Sequence, residues 1–113
     1  MSNKKLRITI NNNSESNSYD VLGSYNDSIY EYLEPDTNTK VLFDAKNLTL
    51  KRSNNELAMT YDFIKKIGNI YIKELERELE LEINLIEKII EEEKVLLKYS
   101  INEDIFNYLI EVK

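Results

Sequence analysis

The chain has no histidine, cysteine or tryptophan, and its 113 residues include only two glycines and one proline. Each absence removes a class of chemistry. Without imidazole or thiol there is no zinc ribbon, no disulfide framework and no nucleophile–histidine catalytic pair. Gly23 and Gly68 stand far apart in the chain, so no Gly-rich loop can wrap a phosphate or a dinucleotide. No apolar run approaches the ~18 residues of a membrane-spanning helix. The opening Met1–Arg7 is basic, but no apolar stretch follows it, which argues against a secretory signal and for a cytoplasmic location.

What is present suits a folded chain. Ile, Leu, Val and Phe supply 35 of the 113 residues, well above the roughly one-fifth below which chains fail to bury a core. That size is one ordinary domain, spanning 1–113. The net charge is −6. Before Leu57 the chain carries 7 basic and 8 acidic residues, and from Leu57 onward 8 and 13, so the acidic excess is C-terminal. Such a surface repels a phosphate backbone and argues against nucleic acid as a partner.

Apolar residues alternate with polar ones over most of the length, the signature of half-buried antiparallel strands. Leu6, Ile8 and Ile10 open the pattern, and the polar run 11–18 interrupts it as a loop or frayed tip. Strands follow at 19–25 and 28–33, joined by a turn at Asn26 and Asp27, whose side chains tolerate positive φ. Glu34 to Asn38, with Pro35, is the clearest turn. Beyond it come 39–44, 48–52 and 56–63, the last placing Leu57, Met59, Tyr61 and Phe63 on one face. Asparagine takes over turn positions that glycine normally fills.

The C-terminal half is less decided. Val95, Leu97, Tyr99 and Ile101 alternate, as do Phe106, Tyr108, Ile110 and Val112. Between 73 and 98, however, Leu75, Leu79, Ile83, Ile86 and Ile90 form a helical stripe, while Leu79, Leu81, Ile83 and Leu85 alternate as in a strand. The residues themselves leave open an all-β fold or an α+β fold with a helix at about 70–93.

Several segments in order resemble the DUF1934 family, small bacterial proteins with a calycin-like β-barrel. They are Leu48–Ser53 (LTLKRS), Met59–Phe63 (MTYDF), Glu78–Ile83 (ELELEI), Val95–Tyr99 (VLLKY) and Ile110–Lys113 (IEVK), with Gly23 ahead of Ile29–Tyr32 (IYEY). Together they span nearly the whole chain. The chain departs from the family at Asn54, where glycine is frequent, and at Arg77 and Glu78, where a Tyr-Gly turn is common. Those departures leave the 64–78 connection open. The resemblance implies a lipocalin-like antiparallel meander of about eight to ten strands, with 77–90 as strand. It implies no activity.

In a closed barrel one parity set fills the inside. Here it comprises Leu6, Ile8, Ile10, Val21, Val41, Phe43, Leu48, Leu50, Leu57, Met59, Tyr61 and Phe63, continuing with Leu79, Leu81, Ile83, Val95, Leu97, Tyr99, Tyr108 and Ile110. About eight strands enclose either a filled core or space for one small ligand. Arg52 shares the parity of Leu48 and Leu50, so its guanidinium points inward and needs a partner. That partner is a bound organic anion, an internal glutamate or carbonyls at the barrel mouth, unless the side chain snorkels out at the strand end. Arg52, Tyr61, Tyr99 and Tyr108 are the candidate ligand-binding residues.

The alternating Glu74, Glu76, Glu78, Glu80 and Glu82 fit a solvated outer face better than a metal site. No catalytic group, metal or cofactor is expected. Two readings follow: a non-enzymatic barrel binding a small apolar or anionic ligand, or a solidly packed module that contacts a protein partner, as monomer or homodimer.

Overall fold

Ten antiparallel strands form a single closed barrel in a computed structural model that describes residues 3–12, 15–35 and 37–113. They are β1 (Asn3–Asn12), β2 (Glu15–Asn26), β3 (Ile29–Leu33), β4 (Lys40–Asp44), β5 (Thr49–Ser53), β6 (Leu57–Asp62), β7 (Ile67–Ile72), β8 (Arg77–Glu91), β9 (Lys94–Ile101) and β10 (Asp104–Val112). Each strand pairs with the next, and β1 closes the ring against β10, with Ile8 opposite Ile110. The all-β meander expected from the alternation is therefore the fold, and no helix occurs among the described residues.

The ambiguity over 73–98 is resolved as strand, and the break in its alternation has a physical origin. β8 runs for 15 residues and changes partner midway, pairing with β7 over 77–82 and with β9 over 83–91. A bulge between Leu85 and Glu87 inserts one extra residue. Inward parity therefore jumps from Ile83 and Leu85 to Lys88 and Ile90, which oppose the buried Leu97 and Val95. The parity jump breaks the period of two within the strand and puts Ile83 and Ile90, seven residues apart, on one face, which a helical stripe also does.

Other expectations are corrected. The polar run 11–18 is mostly ladder: Asn11 and Asn12 extend β1, and 15–18 open β2 opposite them. Only its tip, 13–14, lies outside the described residues, as does Asp36 of the 34–38 turn. The open 64–78 connection holds β7 and two four-residue turns. The β2–β3 turn is one residue later than expected, with positive φ at Asp27 and Ser28. Among the described residues asparagine takes only two of seven positive-φ positions, Asn38 and Asn102. Leu48, expected in a strand, is another, yet it remains buried.

Asp44 and Asp62 organise the turns that follow them, each accepting two backbone N–H bonds on Oδ1 at 3.0–3.1 Å. Asn54 does the same for Glu56 and Leu57. These side chains supply the local hydrogen bonds of an Asx turn.

The turns alternate between the two barrel ends. One end, carrying turns 27–28, 45–48, 63–66 and 92–93, is filled solid. Leu6, Ile8, Val41, Phe43, Val95 and Ile110 are at most 1 % exposed there. Tyr30, outside the expected interior set, is equally buried and stacks on Tyr25 with ring centroids 4.5 Å apart. Tyr32 and Ala45 also join the core. The opposite end is looser. Leu79, expected to be interior, is 43 % exposed, and Leu81 is only half-buried.

Candidate functional site

Three short strands bring the site together. In β3, Tyr30 and Tyr32 point inward, and Glu34 follows at the same parity just past the strand end. In β4, Val41 sits opposite Tyr32 on one side and opposite Arg52 of β5 on the other. Arg52 in turn faces Met59 of β6. Alternation thus carries Arg52 to the inner wall near the open end, as its spacing from Leu48 and Leu50 predicts.

Glu34 is its partner. Arg52 donates from Nη2 to both carboxylate oxygens, at 2.7 and 2.9 Å. The side chains are 34 % and 12 % exposed respectively, so the pair is sheltered and the carboxylate more so than the guanidinium. Of the three partners open to Arg52, the internal glutamate is the one observed. Burial works against the guanidinium charge, but the hydrogen bond and attraction from Glu34 outweigh it and hold the pKa above the ordinary arginine value. The Nε–H is buried and has no acceptor among the described residues.

Glu34 is itself held in place. Its backbone N–H donates to the Thr39 carbonyl at 2.9 Å, and the Thr37 hydroxyl donates to its Oε1 at 3.2 Å. Thr39, the one buried polar residue among the described residues, accepts from Asn54 Nδ2 on its hydroxyl oxygen at 3.0 Å. Glu34 is therefore fastened by backbone and threonine contacts as well as by the ion pair.

Inside this lip lies a chamber of about 140 Å³. Ile10, Leu50, Ile101 and Phe106 form its aliphatic and aromatic wall, and Tyr32, Tyr61, Tyr99 and Tyr108 complete it. Tyr99 stacks on Phe106 with centroids 5.4 Å apart and meets Tyr61 edge-on at 6.3 Å. The four residues singled out from sequence, Arg52, Tyr61, Tyr99 and Tyr108, all line this one space. Outside the lip, a groove of about 430 Å³ runs between β2, at Asn17 to Tyr19, and the loop at Glu34, Pro35 and Thr37. Ile10, Glu34 and Arg52 border both spaces.

The tyrosines are neutral hydrogen-bonding groups. Burial raises the pKa values of Tyr32, Tyr99 and Tyr108 far above the ordinary phenol value, with neighbouring groups contributing less. Tyr61 is also raised by burial, against a weaker opposing pull from the Arg52 charge. Phenolates are thus withheld from use as bases or nucleophiles near neutral pH. No cluster of metal-binding side chains occurs among the described residues. Glu78, Glu80 and Glu82 oppose Tyr71, Asn69 and Ile67 on the outer face and are exposed, as expected, whereas Glu74 and Glu76 lie in the β7–β8 turn.

Sequence reasoning missed Glu34 because it sat in a turn, where parity is usually abandoned. The signal was there: 30, 32 and 34 keep one parity through the end of β3. The chain matches no family model, no curated protein and no solved structure.

Proposed function

We propose that this protein binds a small, compact organic molecule in the chamber at the open end of the barrel. The observation that carries the reading is the chamber itself, an aromatic-lined space of about 140 Å³ in an otherwise filled barrel, leading into a larger groove. Its size suits about one ring, since an apolar cavity of roughly 150 Å³ holds benzene. Exposed Leu79 in β8 and Leu33 at the end of β3 add apolar surface toward the open end. Binding fits better than catalysis, because the lining offers neutral hydroxyls and an ion pair that is already matched. The ten-strand closed meander is the kind of fold that the DUF1934 resemblance implies, and that resemblance brings no activity.

Thermal-shift and ligand-observed NMR measurements with single-ring probes such as benzyl alcohol and phenol test the reading. Saturable binding that Ile101→Trp abolishes, in a variant that stays folded, is the expected result. Absence of binding by every ring-sized probe at millimolar concentration would overturn it.

A second reading, contact with a protein partner, is favoured by β8. Among the described residues no strand pairs with 84–91 on the side away from β9. Ile86, Ile89 and Ile90 are 36–51 % exposed along it, and such edges accept an added strand. Charge substitutions at Ile86 and Ile89 that abolish a measured association would support it. A monodisperse monomer whose β8 amides exchange as freely with cell extract as without it would count against it.

A further inference from the structure

The ion pair stands between two spaces. Glu34 and Arg52 border both the inner chamber and the outer groove, so any molecule moving from groove to chamber passes them. Within the pair the Glu34 carboxylate is the more deeply covered, at 12 % exposure. It has given up most of its hydration for Arg52 Nη2 and the Thr37 hydroxyl. The backbone of Glu34 is secured separately, through its N–H on the Thr39 carbonyl. The carboxylate can therefore swing into the groove by side-chain rotation while the Glu34 backbone stays where it is.

We infer that Glu34 is an internal competitor for the anion site of Arg52, and that the ligand class is a carboxylic acid with a compact, ring-sized apolar body. The inference rests on the chamber being the binding site. Exchange is energetically balanced at the guanidinium, because one charge-assisted carboxylate pair replaces another. The released Glu34 regains water, which offsets the dehydration of the incoming carboxylate. Burial of the ligand's ring among Tyr61, Tyr99 and Phe106 then tips the exchange. A ligand carboxylate could also reorient the guanidinium and give the Nε–H the acceptor it lacks among the described residues.

Two probes sharing one skeleton separate the parts. Benzoate carries the anion, and benzyl alcohol has the same ring without it. Affinities are measured by isothermal titration for the wild-type protein, Glu34→Gln and the double variant Glu34→Gln/Arg52→Met, with NMR spectra establishing that each is folded. The double variant leaves no buried charge unpaired. Glu34→Gln should bind benzoate at least tenfold more tightly than wild type and benzyl alcohol within twofold of it. The double variant should lose benzoate and keep benzyl alcohol. Benzyl alcohol binding to all three proteins with benzoate unchanged or weaker in Glu34→Gln would overturn the competitor role and leave the chamber standing. Failure of both probes on all three proteins would overturn the chamber and the competitor together.

Discussion

The hydroxyl oxygens of Tyr32 and Tyr108 lie 2.5 Å apart inside the barrel, joining β3 to β10 across its interior. Both residues are less than 5 % exposed. Each hydroxyl is thus satisfied by the other. Tyr108→Phe should leave the Tyr32 hydroxyl buried with that bond lost, costing about 1–3 kcal/mol. Removing both hydroxyls removes the unmet demand, so Tyr32→Phe/Tyr108→Phe should cost less than the two single changes added together. Urea unfolding of the four proteins checks this as a double-mutant cycle. Strict additivity would mean that the two hydroxyls do not depend on each other.

The two glycines differ in what surrounds them. A Cβ on Gly23 would lie 2.5 Å from the Glu31 carbonyl oxygen and 2.7 Å from Leu6 Cδ1. The carbonyl belongs to the β2–β3 ladder and cannot step aside without shifting a strand. A Cβ on Gly68 would meet the far end of the Ile83 side chain at 2.8 Å and the Tyr61 ring at 3.0 Å, both of which can adjust. Gly23→Ala should therefore cost about 3 kcal/mol and Gly68→Ala about 1 kcal/mol. Chemical denaturation of the two variants should rank them in that order, and the reverse order would refute the argument.

Three four-residue turns, 45–48, 63–66 and 73–76, each end on a residue with positive φ: Leu48 at 53°, Lys66 at 63° and Glu76 at 47°. A side chain with a Cβ pays for that conformation, whereas glycine does not. Lys66 and Glu76 are exposed and bring little packing to offset the strain. Lys66→Gly and Glu76→Gly should each stabilise the protein by about 0.5–1 kcal/mol, raising Tm by roughly 2–4 °C. Leu48 is only 6 % exposed, so Leu48→Gly should destabilise instead, because the lost burial exceeds the strain relieved. Calorimetry on the three variants reads both signs.

Those turns also show how far the sequence could be read. Alternation alone located most strands and the inward parity of Arg52, because a period of two is imposed by backbone geometry and survives in any half-buried sheet. It placed the 45–48 turn to within one residue, but could not locate those at 63–66 and 73–76, whose positive-φ positions carry Lys and Glu in place of the glycine that marks such sites. Nor could it separate strand from helix in β8, where the bulge between Leu85 and Glu87 resets parity. The depth of Tyr30 and the exposure of Leu79 depend on which barrel end is closed, and that follows from strand lengths and register far apart in the chain. Glu34 meets Arg52 across 18 positions, a pairing fixed by the β3–β4–β5 ladder and not by local pattern.

Burial holds five tyrosines protonated in the folded barrel: Tyr30, Tyr32, Tyr61, Tyr99 and Tyr108, each with its pKa raised. The sign of the linkage follows. In the unfolded chain these phenols ionise near pH 10, while in the folded chain they keep their protons to higher pH. The stability they contribute is complete below about pH 10 and is lost as pH rises above it. Each tyrosine ionised only in the unfolded state removes about 1.4 kcal/mol per pH unit. Several acting together should exhaust the 5–15 kcal/mol typical of a domain within about two or three units. A spectrophotometric titration at 295 nm should therefore show these tyrosines ionising in one steep step above pH 11, coincident with loss of the β-sheet CD signal. A gradual titration of all eight tyrosines near pH 10, with the fold intact, would mean that the barrel interior admits water and that the chamber walls are not closed.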